Sequence, residues 1–512
     1  MHANAFFING VSIVAFYQSV KLNIMISYKK NLLLCIVSTC CLHAAAQTIV
    51  TSYTPVASGQ SFSGKVFLYL SKDAKNPKDE MVGVEKFPCF SITVKNVKPD
   101  EKVIFDDAAA FYPVKLSDIE RGTYNAQVVW DRNEGGRSIA SSPGNMYSRP
   151  VVVTITKNIQ QSFNIVCAEV IKEQLFTETQ YVKELKSPSA LLTAFYNRPT
   201  TINAAVLLPK EYFEQPARKF PVLYWISGYG GDYHSYSGKN DPAAPIDTTP
   251  CIRVFLDGNC PGGHSVYANS DNNGPWGDAL TQELIPLFEK TYRANAARFL
   301  MGHSSGGWTV LWLQTHYPKI FTACWSSSPD PVDFRSFQQI NLYSAKNMYY
   351  TSDSSLTLAG TIAGRFPWIT MKNMCAMEHV IWRGEQMHSF NEVFSTKNSD
   401  GTPRSLWNDA TGDIDTVTFE HWKNYDISLY LRTNWQQLQP DLQGKIRVSV
   451  GEQDNFLLNY AVHLLDNEMQ KLNAGFVFGY YPGDHFTVST PAYKTSGYQF
   501  LEQKYNELAL KN

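Results

Sequence analysis

The chain has 512 residues, with 45 Lys and Arg against 46 Asp and Glu and a formal net charge of −1 at pH 7. That length suits two or three domains with ample core, and the near-cancelling charge leaves no nucleic-acid footprint and no polybasic membrane face. No H-E-x-x-H, paired Cys-x-x-Cys or phosphate-binding Gly-rich Lys loop occurs, so neither a metal nor a cofactor is expected.

Lys29-Lys30 precede an apolar run, Leu32 to Leu42, and Ala44-Ala45-Ala46 then offers small residues for cleavage before Gln47. This is the layout of a signal peptide over residues 1–46, with Met25 as the natural start and 1–24 as an upstream extension. The run is far below the roughly twenty residues that span a bilayer, and Thr39 before Cys40 fits a lipobox poorly. The expectation is export, to the periplasm or beyond. Cleavage would leave Cys89, Cys167, Cys251, Cys260, Cys324 and Cys375. If any disulfide forms, Cys251 and Cys260, which flank the stretch Ile252 to Asn259, are the expected pair.

Residues 47–158 carry alternating or β-branched runs, Lys65–Leu70, Phe90–Val94, Tyr124–Trp130 and Pro150–Ile155, separated by turn residues. Short strands with such punctuation predict a β-sandwich of immunoglobulin-like type. It holds no candidate catalytic set, and reads as a spacer or packing domain, with glycan binding as the alternative. Ile159 to Pro199 links it to the rest.

The chemistry-bearing motifs follow. Pro221–Ile226 is a buried-strand pattern ending in Ser227-Gly228-Tyr229-Gly230-Gly231, whose glycines leave backbone N–H groups uncovered. Phe299-Leu300-Met301 leads into Gly302-His303-Ser304-Ser305-Gly306, a G-x-S-x-G sequence between a strand and the helix-like Trp308–Leu313. Such a turn lifts a serine hydroxyl above a sheet, which makes Ser304 the candidate nucleophile. A serine needs a base and a group that orients the base, in the order Ser, Asp or Glu, His. Lys445–Gly451 reads as a strand, with Glu452-Gln453-Asp454 just beyond it. Phe476–Tyr480 reads as another, running into Gly483-Asp484-His485-Phe486. Asp454 is the expected acid and His485 the expected base. Glu452 and Asp484 are rivals by proximity, and Asp330, after the strand Phe321–Trp325, is the stronger competitor. His303, His316 and His463 read as packed or surface histidines. The N–H groups of Tyr229 and Ser305 are the expected oxyanion donors.

With those motifs on the page, Ala204 to Tyr505 resembles the putative-esterase branch of the α/β-hydrolases, which includes esterase D, feruloyl esterases, enterochelin esterases and mycolyltransferases. Further matching segments are Val254–Asn259, Tyr267-Ala268-Asn269-Ser270, Trp276 and Glu283-Leu284-Ile285-Pro286. The resemblance implies an α/β-hydrolase domain over residues 159–512. There are two departures. Ser227 stands where many relatives carry His, and the Ser304-to-Asp454 stretch is long. The surplus, about residues 329–438, reads as an insertion rich in aromatics, including Tyr349-Tyr350, Phe366-Pro367-Trp368, Trp382, Phe390, Phe394, Trp407, Trp422, Tyr425 and Trp435. It would wall the acyl pocket, with Trp382 and Trp407 as the first candidates for substrate contact. The competing reading is a local core.

The expected function is an exported serine esterase acting on carboxylic esters, acyl or feruloyl groups on glycans among them. Its partners would be small-molecule or glycan esters, with no nucleic acid and no stable membrane insertion. Two alternatives remain: an acyltransferase with an alcohol or sugar acceptor, and a non-catalytic glycan-binding protein on the same scaffold.

Overall fold

The computed structural model describes residues 47–80, 88–133, 138–156, 159–381, 383 and 385–510; the expected signal segment, 1–46, lies outside them. Eight strands form the main sheet. They are β1 (Val182–Pro188), β2 (Thr201–Leu207), β3 (Phe220–Ile226), β4 (Ile252–Leu256), β5 (Ala294–His303), β6 (Ala323–Ser327), β7 (Ile446–Gly451) and β8 (Val477–Tyr481). Their spatial order is β1-β2-β4-β3-β5-β6-β7-β8. β2 runs antiparallel to both β1 and β4, and every other pair is parallel. This is the α/β-hydrolase topology.

Central strands of a parallel sheet are covered on both faces, which is why β3 reads as a nearly unbroken apolar run. Alternation sorts their side chains. Val222, Tyr224, Ile226, Leu300 and Val448 join the core under helix α1 (Ser305–His316). Leu223, Phe299, Met301 and Trp325 face the other way, against the carboxyl-terminal helix (Pro491–Ala509) through Phe500 and Leu501. Eleven of the twelve residues of α1 are buried, so its sequence is apolar on all sides rather than striped. The parallel arrangement leaves the carboxyl ends of β5, β6, β7 and β8 in one row at the same edge of the sheet.

The amino-terminal residues form two sheets around one core, of three and seven strands. Trp130 sits at its centre, with Tyr53 and Phe62 edge-on at 4.9 and 5.0 Å. The boundary expected at residue 158 falls short. Ser162–Cys167 pairs in parallel with Thr48–Tyr53, and Glu169–Val170 pairs with Met146–Tyr147, so these sheets extend to Val170. The stretch Ile159 to Pro199 is also more than a link, since it supplies β1.

Between β6 and β7 the chain builds a hairpin, Leu358–Ile362 with Phe366–Thr370, then helices α2 (Met371–Ile381), α3 (Glu385–Phe394) and α4 (Ile427–Leu442). Asp426 caps α4 by accepting from the N–H of Leu429, and the helix runs unbroken past Leu438. The expected end of the insertion, about Leu438, falls within this helix. The insertion's aromatics extend the sheet's core: Phe334, Phe390, Phe394, Trp422 and Tyr425 pack on one another and on Trp308 and Trp312. Among the described residues no helix is long and apolar enough to cross a membrane.

The six described cysteines are all buried and free. Cys251 stands just before β4 and Cys260 beyond the turn that follows it, and both are free thiols, which corrects the expected disulfide.

Candidate active site

Ser304 joins the end of β5 to the start of α1 at φ 58°, ψ −124°, a conformation that costs on the order of 1–3 kcal/mol for a residue with a side chain. Three backbone bonds hold it there. Its N–H donates to Ser327 O at 3.0 Å, and its carbonyl accepts from Trp308 and Asp330 at 3.0 and 3.2 Å. The glycines of the motif are required by contact. A Cβ on Gly302 would lie 2.1 Å from Gly306 O, and one on Gly306 would lie 2.1 Å from Ile226 O.

β7 and β8 deliver the other two residues. His485 Nδ1 lies 2.8 Å from Asp454 Oδ2, with both side chains buried. The second carboxylate oxygen, Oδ1, accepts the N–H groups of Phe456 at 2.9 Å and Leu458 at 3.4 Å. The His485 backbone N–H donates to Asn455 Oδ1 at 3.1 Å, which ties the two loops together. With Nδ1–H donated to Asp454, the Nε2 lone pair is left for another proton. The His303 ring, one residue before Ser304, lies 4.5 Å from the His485 ring.

Each rival is engaged elsewhere. Glu452 pairs with His463 at 3.2 Å, and Asp484 accepts the N–H groups of Phe486 and Thr487. Asp330 accepts from Ser305 Oγ at 2.6 Å and from Gln386 Nε2 at 3.2 Å; burial pushes its carboxyl up to about 6. His303 is driven down to about 4, by burial and then by the neighbouring His485. His316 reaches the same value through burial between Trp312 and Tyr430. Both therefore stay neutral near pH 7.

The loop after β3 closes over the nucleophile. A Cβ on Gly228 would stand 3.2 Å from Ser304 Cβ and 3.2 Å from His303 O. Ser227, at the position where histidine was noted as common, donates through Oγ to Asp257 O at 3.1 Å. Tyr229 follows Gly228, and Ser305 opens α1, where the first N–H groups lack intrahelical partners. The start of α3 grips both. Tyr229 OH donates to Glu385 Oε2 at 2.7 Å, and Gln386 Nε2 lies 3.3 Å from Ser305 Oγ. Beside them, Arg383 makes a buried two-pronged ion pair with Asp131 at 2.8 and 2.7 Å. No sequence motif marked Glu385, Gln386 or Arg383. Their role exists only through contacts that cross more than fifty positions.

The two tryptophans expected to touch substrate do not line the site. Trp382 lies outside the described residues. Trp407 is 2% exposed, packed into the core against His388, so its indole presents no stacking face. The aromatics near His485 are others. Phe456 meets its ring edge-on at 5.0 Å and Phe486 at 5.3 Å, with Trp368 of the hairpin 6.1 Å from Phe456. Phe486 and Trp368 are 67% and 45% exposed. The hairpin is fixed there by Thr361 N–H donating to Asn455 O. A cavity of about 590 Å³ lies behind the oxyanion loop, lined by Gly230, Gly231, Asp232 and Trp276, but not by Ser304, Asp454 or His485.

A comparison with curated proteins finds no match. Among solved structures, the chain is similar to a fluorophosphonate-binding serine hydrolase of Staphylococcus aureus (14% identity, 62% of this chain and 98% of that one, TM-score 0.37). It is likewise similar to an S-formylglutathione hydrolase from Agrobacterium tumefaciens (13%, 64% and 97%, 0.38) and to Est1E from Butyrivibrio proteoclasticus (12%, 63% and 99%, 0.34). These scores are too low to carry weight beside the family match. The model of the putative-esterase family matches residues 197–486, more than half of the chain. The chain belongs to that family and is an esterase.

Proposed function

We propose that Ser304, His485 and Asp454 form the catalytic triad of an exported esterase. Ser304 Oγ attacks the ester carbonyl while His485 Nε2 takes its proton, and Asp454 steadies the imidazolium through Nδ1–H. The N–H groups of Tyr229 and Ser305 receive the oxyanion. Collapse expels the alcohol, which takes the proton from His485 and leaves an acyl-Ser304. Water, deprotonated by His485, then attacks the acyl carbon; the bond to Ser304 Oγ breaks, the acid leaves, and His485 returns the proton to Ser304 Oγ. The observation that carries this reading is the buried 2.8 Å contact of His485 with Asp454, with the His303 ring, one residue before a serine held at positive φ, 4.5 Å from the His485 ring.

The half-exposed rings of Trp368 and Phe486 favour an ester with a ring-bearing acyl group or a sugar, since flat apolar faces stack on such groups. Export rests on Lys29-Lys30, the Leu32 to Leu42 run and Ala44–Ala46. The amino-terminal sheets are read as an immunoglobulin-like packing domain that steadies the turn around Arg383. The test is turnover of short p-nitrophenyl esters by purified Ser304→Ala. Activity should fall to background with the circular dichroism spectrum unchanged. Turnover close to wild type would remove Ser304 from the mechanism.

A further inference from the structure

His379 lies in the last turn of α2 and His388 in the first turn of α3. The carboxylate of Asp409 reaches both, with His379 Nδ1 3.6 Å from Oδ2 and His388 Nε2 3.1 Å from Oδ1. The three ligand atoms all lie within 4.8 Å of one another. We propose that His379, His388 and Asp409 bind a divalent transition-metal ion that fastens α2 to α3.

The spacing suits this. Donors on a tetrahedral zinc at bonds of about 2.0–2.1 Å stand roughly 3.3 Å apart, and the Asp409 carboxylate turns a different oxygen to each imidazole at 3.1 and 3.6 Å, on that scale. The His379 contact is too long for a hydrogen bond, so an ion between the groups would engage an imidazole that the carboxylate alone does not.

The frame is fixed from several sides. Tyr349 OH donates to Asp409 O at 3.0 Å, and Lys65 Nζ donates to His379 O at 2.7 Å. The His388 ring packs on Trp407 at 5.6 Å. Lys65 is a cation the bound ion would have to tolerate, with Glu385 and Asp131 among the charges that offset it. Two imidazoles and one carboxylate select a borderline ion, zinc first, over calcium or magnesium. The remaining coordination positions fall to water, because His379 and Asp409 are about half exposed.

The two histidines bracket the turn that carries Arg383, and α3 begins with Glu385 and Gln386. An ion here would hold in place the segment that grips Tyr229 and Ser305. The metal site itself stands without the ester chemistry, and binding tests it separately. Tag-free full-length protein is stripped with chelator, then titrated calorimetrically with zinc chloride and melted with and without it. One equivalent should bind, and Tm should rise with zinc but not with calcium. His379→Ala, His388→Ala and Asp409→Asn should each weaken binding by on the order of a hundredfold or more. His379 is half exposed, so its variant keeps the test sound if His388→Ala folds poorly. No zinc uptake by wild type, or unchanged uptake in the His379→Ala/His388→Ala double variant, would overturn the proposal. Zinc held at His303 or His485 would appear as that second outcome.

Discussion

The base side and the oxyanion side of the site are held by different kinds of structure. Asp454 and His485 sit on loops that leave neighbouring parallel strands, so the sheet itself sets their spacing, and Asp454 is held by backbone N–H groups two and four residues on. Tyr229 and Ser305 are steadied instead by side chains of α3, and α3 is tied through Arg383 to Asp131, 252 positions away in the sequence. One half comes with the fold. The other is assembled by a segment inserted into the fold and by a separate pair of sheets. Substitutions on the first half should therefore stop the chemistry, and those on the second should weaken it.

The largest contrast lies between two carboxylates. Asp454→Asn should lower kcat about ten-thousandfold, because the imidazole loses the partner that fixes its tautomer. Asp330→Asn should cost tenfold at most, since Asp330 faces Ser305 and Gln386. Kinetics on one activated ester with both variants checks this. Equal losses would mean that the base has been matched with the wrong acid.

Next in size is the clamp. Arg383→Met leaves Asp131 buried without its partner, which costs about 3–5 kcal/mol of stability. The gentler Glu385→Gln and Tyr229→Phe test position rather than folding. Each should lower kcat by about tenfold with KM little changed, and the double variant should cost no more than either alone. Additive losses would show that Glu385 and Tyr229 act independently.

What the sequence made legible follows the same division. The strand β3 is a continuous apolar run and β7 alternates apolar with polar residues, the G-x-S-x-G turn is local, and Asp454 and His485 each follow a strand end by a few residues. The clamp residues carry no such mark. Glu385 and Gln386 are ordinary first-turn residues until α3 is placed against Tyr229. Trp407 was singled out for its size, and size alone does not distinguish a pocket wall from a core. The strand Ser162–Cys167 was missed because only two of its six residues are fully buried, and its partner, Thr48–Tyr53, starts more than a hundred positions earlier.

Smaller effects separate the aromatics. Trp368→Ala should lower kcat/KM for bulky ring-bearing esters by about ten- to a hundredfold and leave short esters nearly unchanged. Trp407→Ala should instead lose about 3–5 kcal/mol of stability and affect both ester classes alike. Thermal melts beside two-substrate kinetics distinguish them.

The smallest effect concerns pH. Asp330 titrates near 6 when folded and near 3.8 as an ordinary carboxyl, so folding binds its proton more tightly. Its contribution is fully present below about pH 3.8 and is lost as pH rises through about 6. Asp330→Asn should therefore gain stability relative to wild type by on the order of 2 kcal/mol between those limits. Denaturant melts at pH 4 and pH 7 measure it, and a difference that does not grow with pH would show that Asp330 is ionised throughout.

The most direct test of the proposed triad is covalent. Wild-type protein treated with a fluorophosphonate, then digested and mapped by mass spectrometry, should carry one equivalent of phosphonyl group on Ser304. Asp454→Asn should label far more slowly, and Ser304→Ala not at all. An adduct on another residue of the wild type, or equal labelling of the Ser304→Ala variant, would contradict Ser304 as the nucleophile.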